Sequence, residues 1–204
     1  MRTFVIIGQN AVASDDFLLH DFAGTSGRLD VLARCVRAGL LFSHGVRRDA
    51  RVYLVLLGGP RAPRVVRFQG AVAKYVRPDE RNLSVQLKKV LAYTDDDAAK
   101  GFVEVRAGIS VAKGSIEPVL ADLDGATPYV LEEGAPDVRE RTGPELANAA
   151  FFLGDHHGWD AACRARLAEL GARTLGVGPV SLHTEDVVTL LSNELDRREA
   201  AAAT

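Results

Sequence analysis

Arg28 and Asp30 are the first residues in this sequence whose types and spacing could perform chemistry. They follow Thr25 and Ser26, which precede a run of apolar residues at helical spacing, so they belong to the first turn of a predicted amphipathic helix. An arginine there can hold a phosphate, and a carboxylate beside it can accept a proton. Asp30 and Arg34 are also four residues apart, and the alternative interpretation is an ordinary surface ion pair.

A second polar cluster is the segment RPDERN, residues 77 to 82. Pro78 and Asp79 are typical of a helix start, where Asp79 and Glu80 would complement the positive end of the helix dipole. Arg81 would be unfavourable at that end unless it serves a ligand. The cluster therefore offers three candidate substrate-binding residues, which are Asp79, Arg81 and Asn82.

The segment FFLGDHHGWD, residues 151 to 160, predicts a buried strand that ends in a sharp polar corner. Ligands of α/β sheets bind at the carboxyl ends of strands, so this corner is a candidate site. Asp155, His156 and His157 would also be compatible with metal-dependent hydrolysis. Adjacent histidines without a third ligand at helical spacing are more typical of a turn, and we expect no metal there.

The segment LGVGPVSLHTED, residues 175 to 186, predicts a strand that runs into a loop with few side chains. Gly176, Gly178 and Pro179 would leave backbone N–H and C=O groups accessible to a ligand. The spacing is not GxGxxG, and the sequence contains neither GxxxxGK[ST] nor GxSxG. It therefore gives little support to a dinucleotide fold, a phosphate-loop NTPase or a serine hydrolase.

Length and composition are those of an ordinary globular protein. The chain has 204 residues, of which 47% are hydrophobic and 25% charged, so we expect a single domain over residues 1 to 204. No apolar run reaches the ~18 residues of a membrane helix, and the first residues show no signal-peptide pattern. Cys35 and Cys163 are too far apart in the sequence to suggest a disulfide framework or a zinc site. We expect a cytoplasmic protein.

Charge is distributed unevenly along the chain. The net charge is −2, yet residues 28 to 77 contain eleven lysines and arginines and only two acids, Asp30 and Asp49. Phosphate contacts supply much of the affinity of proteins for nucleic acids, so this asymmetry favours an RNA or DNA partner. The alternative is that these arginines pair with acids from the rest of the chain.

Short β-branched or aromatic runs alternate with amphipathic segments. The predicted strands are residues 3–8, 51–57, 64–68, 128–131, 149–154 and 174–177, with a weaker one at 102–106. The predicted helices start near Thr25-Ser26, Pro78-Asp79, Asp160 and Thr184, a short one lies within 115–123, and residues 197–204 are expected to form a frayed tail. This order predicts the α/β class, with a mostly parallel sheet flanked by helices.

Taken together, five segments resemble the archaeal-type tRNA (pseudouridine-N1)-methyltransferase family of the SPOUT class. The segments are GRLDVLARCV, FSHGVRRD, RPDERN, FFLGDHHG and GPVSLHTEDVVTLLSNELD. The resemblance covers nearly the whole chain, in order and with compatible spacing. It implies a SPOUT methyltransferase fold with a C-terminal trefoil knot, a homodimer, and S-adenosyl-L-methionine (SAM) bound in the knot.

The resemblance also implies which residues bind SAM, largely through backbone groups of three loops. Gly154 would let the chain turn tightly under the adenosine, and the polar corner after it would rim the methyl-transfer pocket. Around Gly178 the last loop is richer in glycine than the commoner serine-bearing version of the family. The implied cofactor-binding residues are Leu131, Gly154, Val177, Gly178, Pro179, Val180, Ser181, Leu182 and Val187.

The implied reaction is methylation of N1 of pseudouridine in tRNA, at nucleotide 54 of the T-loop. We expect Asp30 to accept the N1 proton and Arg28 to orient the uracil or its phosphate, with Asp79, Arg81 and Asn82 as second choices. Arg34, Arg47 and Arg48 join those three as expected RNA contacts. The alternatives are N1-methylation of a pseudouridine in rRNA and a non-catalytic RNA-binding or assembly factor with the same fold.

Overall fold

The computed structural model describes residues 1–94 and 96–203. Its main element is an eight-stranded sheet with the strand order β10-β8-β9-β1-β4-β5-β7-β6. These strands are β1 (Arg2–Val12), β4 (Ala50–Gly58), β5 (Arg64–Gln69), β6 (Val103–Arg106), β7 (Ile109–Lys113), β8 (Thr127–Leu131), β9 (Ala149–Gly154) and β10 (Arg173–Leu175). The strands β2 (Leu41–Phe42) and β3 (Gly45–Val46) form a separate small hairpin.

The four longer helices are α2 (Leu29–Leu40), α3 (Glu80–Leu91), α6 (Ala161–Glu169) and α7 (Thr184–Ala202). The shorter ones are α1 (Phe22–Thr25), α4 (Glu117–Ala121) and α5 (Gly143–Leu146). Single 3-10 turns occur at Leu19–Asp21, Asp96–Ala99 and Val138–Glu140.

Both faces of the sheet are covered, which explains the continuous apolar runs in its central strands. In β1, Phe4 and Ile6 pack in the core under α2, α3 and α7, whereas Val5 and Ile7 pack in a second core with residues of α4 and α6. Successive side chains of a strand point to opposite faces, so a strand covered on both sides must be apolar at every position.

Strand direction defines two edges of the sheet. The strands β10, β8, β9, β1 and β4 are mutually parallel, and we call the edge where they end the carboxyl edge and the opposite one the amino edge. The strands β5, β7 and β6 continue the sheet in antiparallel pairs. The sheet is therefore mostly parallel and flanked by helices, as predicted.

Each predicted strand and helix is present, with two differences at the boundaries, and the elements β2, β3, β7, α1 and α5 were not predicted. The last strand ends at Leu175, because Gly176 already leaves the sheet to bond residues 136 and 138. The strand β7 was missed and completes the antiparallel part. The helix α2 begins only after Arg28, while the Ser26 hydroxyl accepts a hydrogen bond from the N–H of Leu29.

The segment from residue 197, for which a frayed tail was predicted, begins within a helix. The helix α7 continues to Ala202. Arg198 donates hydrogen bonds to the carbonyl oxygens of Arg141 and Val138 at 2.6 and 2.7 Å, and Glu199 pairs with Arg2 at 2.8 Å. These contacts with distant parts of the chain hold the last turns of the helix in place.

None of the helices in residues 1–94 and 96–203 combines the length and the apolar character required to cross a membrane.

Candidate cofactor and substrate site

Three turns at the carboxyl edge enclose a cavity of about 180 Å³. The first turn follows β8, the second follows β9, and the third is the segment from Leu175 to Val187 that links β10 to α7. Because β8, β9 and β10 are neighbours that run in parallel, their carboxyl ends meet at one place. All the expected cofactor-binding residues line this cavity except Pro179, which lies between two residues that do.

Close backbone approaches shape two of these turns. A Cβ atom on Gly154 would lie 2.2 Å from the carbonyl oxygen of Gly158, and one on Gly176 would lie 2.6 Å from that of Ala135. Neither backbone oxygen can move away as a flexible side chain could. Glycine is therefore required at both positions, and it lets the chain fold tightly around the cavity.

The third turn presents a backbone without internal partners. Across the described chain, the N–H and C=O groups from Val177 to Leu182 make no hydrogen bond to another backbone group. The turn is fixed at its ends instead. The N–H of Gly176 donates to Pro136, and the hydroxyl of Thr184 donates to the carbonyl oxygen of Gly154 at 3.0 Å. Residues 179 to 182 are exposed, so the polar groups of this main chain are accessible to a ligand.

The walls of the cavity are chemically mixed. Apolar side chains dominate, and they come from Leu131, Leu153, Trp159, Leu175, Val177, Val180, Leu182 and Val187. Two carboxylates, Glu132 and Glu133, lie at one side, and Glu132 is paired with Arg164 at 2.8 Å. Apolar walls with a few polar groups are typical of small-molecule sites. An aromatic ring with a polar, positively charged extension fits this arrangement.

A second, wider cavity of about 740 Å³ adjoins the first. It shares Asp155, Gly158, Ser181, Leu182 and Thr184 with the first cavity. The residues that line only the second cavity include Arg28, Arg34, His156 and His183. The two cavities thus form one site, in which a ligand in the first cavity faces a chamber that carries the guanidinium groups of Arg28 and Arg34 and the carboxylates of Asp155, Glu185 and Asp186.

Asp30 lies behind this chamber and does not line it. Its side chain is only 4% exposed and accepts hydrogen bonds from Arg28 at 3.0 Å and Arg34 at 2.8 Å. Burial acts to raise the pKa of the Asp30 carboxyl, but the hydrogen bonds and charges of the two guanidinium groups outweigh it and lower that pKa. A carboxylate held in this way is a weak proton acceptor. The i,i+4 ion pair is present, but its acid is buried.

Arg28 is held at the chamber by its backbone as well as by Asp30. It is the N-cap residue of α2 and has a left-handed conformation with φ of 66°. Non-glycine residues rarely adopt this conformation, and it is frequent at functional positions. Arg34, the other partner of Asp30, also forms an ion pair with Glu185 of α7 at 2.7 Å. The network therefore ties the start of α2 to the start of α7, beside both cavities.

The polar corner after β9 is part of the framework of the site. The Asp155 carboxylate accepts hydrogen bonds from the N–H of Gln9 at 2.9 Å and of His157 at 2.8 Å. The ring of His157 lies 2.9 Å from the side chain of Asn10. Within the described residues, no group of three histidines, cysteines, aspartates or glutamates could hold a metal ion. The corner is thus built on the end of β1.

Sequence comparison agrees with this geometry. Residues 1–200 match the model of a family described as "Putative SAM-dependent RNA methyltransferase". The chain belongs to this family. Among its relatives, a protein of Methanosarcina acetivorans named tRNA (pseudouridine(54)-N(1))-methyltransferase is 40% identical over 98% of this chain and 93% of its own length. A protein of Halobacterium salinarum with the same name is 38% identical over 96% of each chain.

The structural comparison bears on the fold of this family member. The crystal structure of Archaeoglobus fulgidus Nep1 bound to S-adenosylhomocysteine superimposes with a TM-score of 0.64. The match covers 98% of this chain and 99% of that one, at 13% sequence identity. At this identity the similarity shows a shared fold, which is the SPOUT methyltransferase fold expected from the sequence.

Five expected RNA-binding residues of this family member lie away from the two cavities, towards the amino edge. Arg47 pairs with Asp196 at 2.6 Å, and Arg48 donates to the carbonyl oxygen of Gly70. Asp79 and Asn82 stabilise the start of α3, because the Asp79 carboxylate accepts a hydrogen bond from the N–H of Asn82. Arg81 is exposed. The structure therefore groups Arg28 and Arg34 at the second cavity, but not these five residues.

Several residues of the site were not predicted individually as ligand-binding residues. They are Glu132, Glu133, Trp159, His183 and Thr184. The two glutamates follow a predicted strand directly, and their position at the carboxyl end of that strand was the one available signal. Nothing local distinguishes Trp159 or Thr184, because their role depends on how the three turns meet.

Proposed function

We propose that this protein transfers a methyl group from SAM to N1 of pseudouridine 54 in tRNA. The observation that carries the proposal is the continuous site at the carboxyl edge, where a turn with unpaired backbone groups faces a chamber that Arg28 and Arg34 line. The family description supplies the cofactor, and the names of the relatives supply the nucleotide.

SAM fits the first cavity by its chemistry. Leu131, Trp159 and Val187 would pack against the adenosine, and the backbone from Val177 to Leu182 would satisfy its polar edges. The carboxylates of Glu132 and Glu133 suit the ribose hydroxyls or the positive charge of the cofactor. SAM supplies an electrophilic methyl group on a sulfonium. The protein's task is to hold that group in line with the nucleophile and to exclude water, which can provide most of the rate enhancement.

Arg28 is the residue best placed to orient the RNA. Its side chain is 47% exposed and reaches the chamber, while Asp30 fixes its direction from behind. A guanidinium group held in this way can bind a phosphate or a uracil carbonyl of a nucleotide turned out of its stack. We assign Arg28 to substrate binding and Asp30 to the positioning of Arg28.

Methyl transfer forms the N1–CH₃ bond, breaks the S–CH₃ bond and releases the N1 proton. The lowered pKa of Asp30 and its two arginine partners disfavour this carboxylate as the acceptor. The chamber is open, so the proton can pass to solvent from the face lined by His156 and His183.

The proposal includes a trefoil knot within a single domain of residues 1–204. The parallel bridge between Asp137 and Gly176 supports the knot, because it places the exit of β10 beside the loop that follows β8. The N–H of Val138 donates to Gly176, and the N–H of Gly176 donates to Pro136. A chain held on both sides in this way is suited to pass through that loop.

The proposal also includes a homodimer that acts on tRNA in the cytoplasm. Exposed apolar side chains on and before α7, namely Val180 at 62%, Leu190 at 40% and Leu182 at 38%, support an interface there. Light scattering should give twice the chain mass of 21.9 kDa. A mass of one chain at micromolar concentration would contradict the dimer.

The decisive experiment uses two tRNA transcripts that differ only at nucleotide 54. Each is incubated with the protein and methyl-labelled SAM and analysed by nucleoside mass spectrometry. The expected result is one labelled 1-methylpseudouridine in the transcript with pseudouridine and no label in the one with uridine. Label in a parallel rRNA fragment but not in tRNA would favour the rRNA alternative.

A non-catalytic RNA-binding factor explains the two arginines of the chamber equally well, but it gives no reason for the open backbone of the third turn. Calorimetry with SAM separates the two functions. Failure to bind SAM at millimolar concentration would favour the binding factor.

A further inference from the structure

Tyr75 is the most exposed large hydrophobic side chain of the described residues, at 74%. It lies in the segment from residue 70 to 78, which links β5 to α3 and which we call the Tyr75 loop. Its φ of 63° is left-handed, a conformation that bulky residues rarely adopt. An aromatic ring kept in water at a strained backbone position needs an explanation beyond folding.

The Tyr75 loop is held firmly by its neighbours. Ala73 and Val76 are buried, and the N–H of Lys74 donates to the carbonyl oxygen of Ala107. The carbonyl oxygen of Tyr75 itself accepts from the buried side chain of Gln86 at 3.1 Å. The loop backbone is therefore anchored on both sides of the exposed ring, and the ring is presented in a fixed position.

Cations without acidic partners lie on the Tyr75 loop and on the segments next to it. Over residues 1–94 and 96–203, the side chains of Lys74, Arg77, Arg81 and Arg106 form no ion pair, and Arg48 bonds only to carbonyl oxygens. Many arginines in other parts of the structure form ion pairs with carboxylates, among them Arg2, Arg28, Arg34, Arg47, Arg51 and Arg67.

The acids of the same stretch do not cancel this charge. Between residues 70 and 82 they are Asp79 and Glu80. Asp79 already accepts from the N–H of Asn82 as the cap of α3. Within residues 70 to 82, the three cations Lys74, Arg77 and Arg81 exceed these two acids by one charge. Arg48, which bonds to the carbonyl oxygens of Gly70 and Ala71, adds a further positive charge to the loop. The positive charge of residues 28 to 77 is therefore neutralised over much of that stretch and remains available mainly at the Tyr75 loop.

The Tyr75 loop lies at the opposite edge of the sheet from the methyl-transfer site. The strand β5 is antiparallel to β4, so it starts at the carboxyl edge and ends at the amino edge, where the Tyr75 loop follows. Six residues of β5 correspond to roughly 20 Å at ~3.3 Å per residue. The nucleotide that reaches Arg28 cannot also contact Tyr75 of the same protomer.

We propose that the Tyr75 loop is a second RNA-docking surface, which binds a part of the substrate tRNA outside the methylated loop. Tyr75 stacks on an unpaired base, and Lys74, Arg77, Arg81, Arg48 and Arg106 contact the adjacent phosphates. A ring between cations is the arrangement used to bind single-stranded RNA, because every base has a π face and every nucleotide a phosphate. The inference rests on the proposed function, which supplies the RNA.

The test measures the affinity for full-length tRNA and for an isolated T-arm hairpin, with SAM binding as a separate readout. For the variant Lys74→Glu/Arg77→Glu, we expect the affinity for full-length tRNA to fall at least tenfold and its salt dependence to weaken by about one unit of log slope per lost contact. We expect binding of the hairpin and of SAM to stay within twofold of the unmodified protein. The inference would be overturned if the affinity of the double variant for full-length tRNA also stayed within twofold of that of the unmodified protein.

Two matched variants separate charge, stacking and folding. Tyr75→Ala should weaken full-length tRNA binding about tenfold, whereas Tyr75→Phe should bind normally because the ring remains. Arg166→Glu makes a single charge reversal on α6, half of the change in the double variant, at an arginine that Glu117 and Glu169 already pair with, and it should have little effect. Equal losses in Tyr75→Ala and Tyr75→Phe would exclude stacking.

Other results would also overturn the proposal. A parallel loss of hairpin binding would place the loop at the target nucleotide, and a change of molecular mass in light scattering would make it a protein interface. If SAM fails to bind the unmodified protein while the tRNA results hold, then the proposed reaction is wrong but the docking surface stands.

Discussion

Asp30 lies between two guanidinium groups, and its effect on catalysis depends on them. If it positions Arg28, then Asp30→Asn should lower kcat/KM about tenfold to a hundredfold by loosening that arginine, since small displacements of oriented groups are costly. The shape of the pH–rate profile should remain unchanged. If the acidic limb of the pH–rate profile were lost in Asp30→Asn, this would instead show that Asp30 accepts the N1 proton.

The same residue predicts a pH dependence of stability. The folded-state pKa of Asp30 is lowered, so its contribution is present above the unfolded value of about 3.9 and is lost as pH falls through the folded value. Urea unfolding at pH 7 should show Asp30→Asn less stable by about 1–3 kcal/mol. The difference between the two proteins should shrink below pH ~4. A constant difference down to pH 2 would contradict this.

Gly154 tests the packing of the cofactor turn. In Gly154→Ala the new methyl group meets the carbonyl oxygen of Gly158, so the turn must open and SAM binding should weaken at least tenfold. Gly143→Ala is the matched control, because nothing lies within 4 Å of its added methyl group. Calorimetry measures both. Normal SAM affinity in Gly154→Ala would show that the turn does not shape the site.

At the scale of elements, the last turns of α7 make a testable contribution. Deletion of residues 197–204 removes the Arg198 bonds to Val138 and Arg141 and the Glu199 pair with Arg2. We expect a loss of about 1–3 kcal/mol in the free energy of unfolding. Deletion of residues 201–204 is the control and should be neutral. Equal stability of the two truncated proteins would indicate that residues 197–204 do not stabilise the fold, as expected of a frayed tail.

At the scale of the whole molecule, the three turns should respond to SAM together. They belong to parts of the chain up to 56 residues apart, from Leu131 to Val187, yet they line one cavity. Ligand binding stabilises the folded state of every segment it contacts. Hydrogen exchange with saturating SAM should therefore show protection in all three turns and little change in the Tyr75 loop. Protection confined to one turn would contradict a single shared site.

The element types were predictable from particular local patterns. Asp79 and Asp160 were expected as helix caps, and each accepts a backbone hydrogen bond in the structure. Gly171, which follows the end of α6, has a left-handed φ of 69°, as is typical of a glycine after a helix. These signals lie within a few residues of the feature they determine. Similarly, the apolar strands of the covered sheet were visible because both faces of each strand are buried.

Most of the strands, the four longer helices and the resemblance to the family could thus be read from the sequence, because periodicity, caps and motif order are local or linear properties. The tertiary structure decided which residues act together. It joined the turns after β8, β9 and β10, buried Asp30 between two arginines, and separated RPDERN from the cofactor cavity. The reason is strand direction. The parallel strands end at one edge, whereas the antiparallel β5 carries the chain to the other.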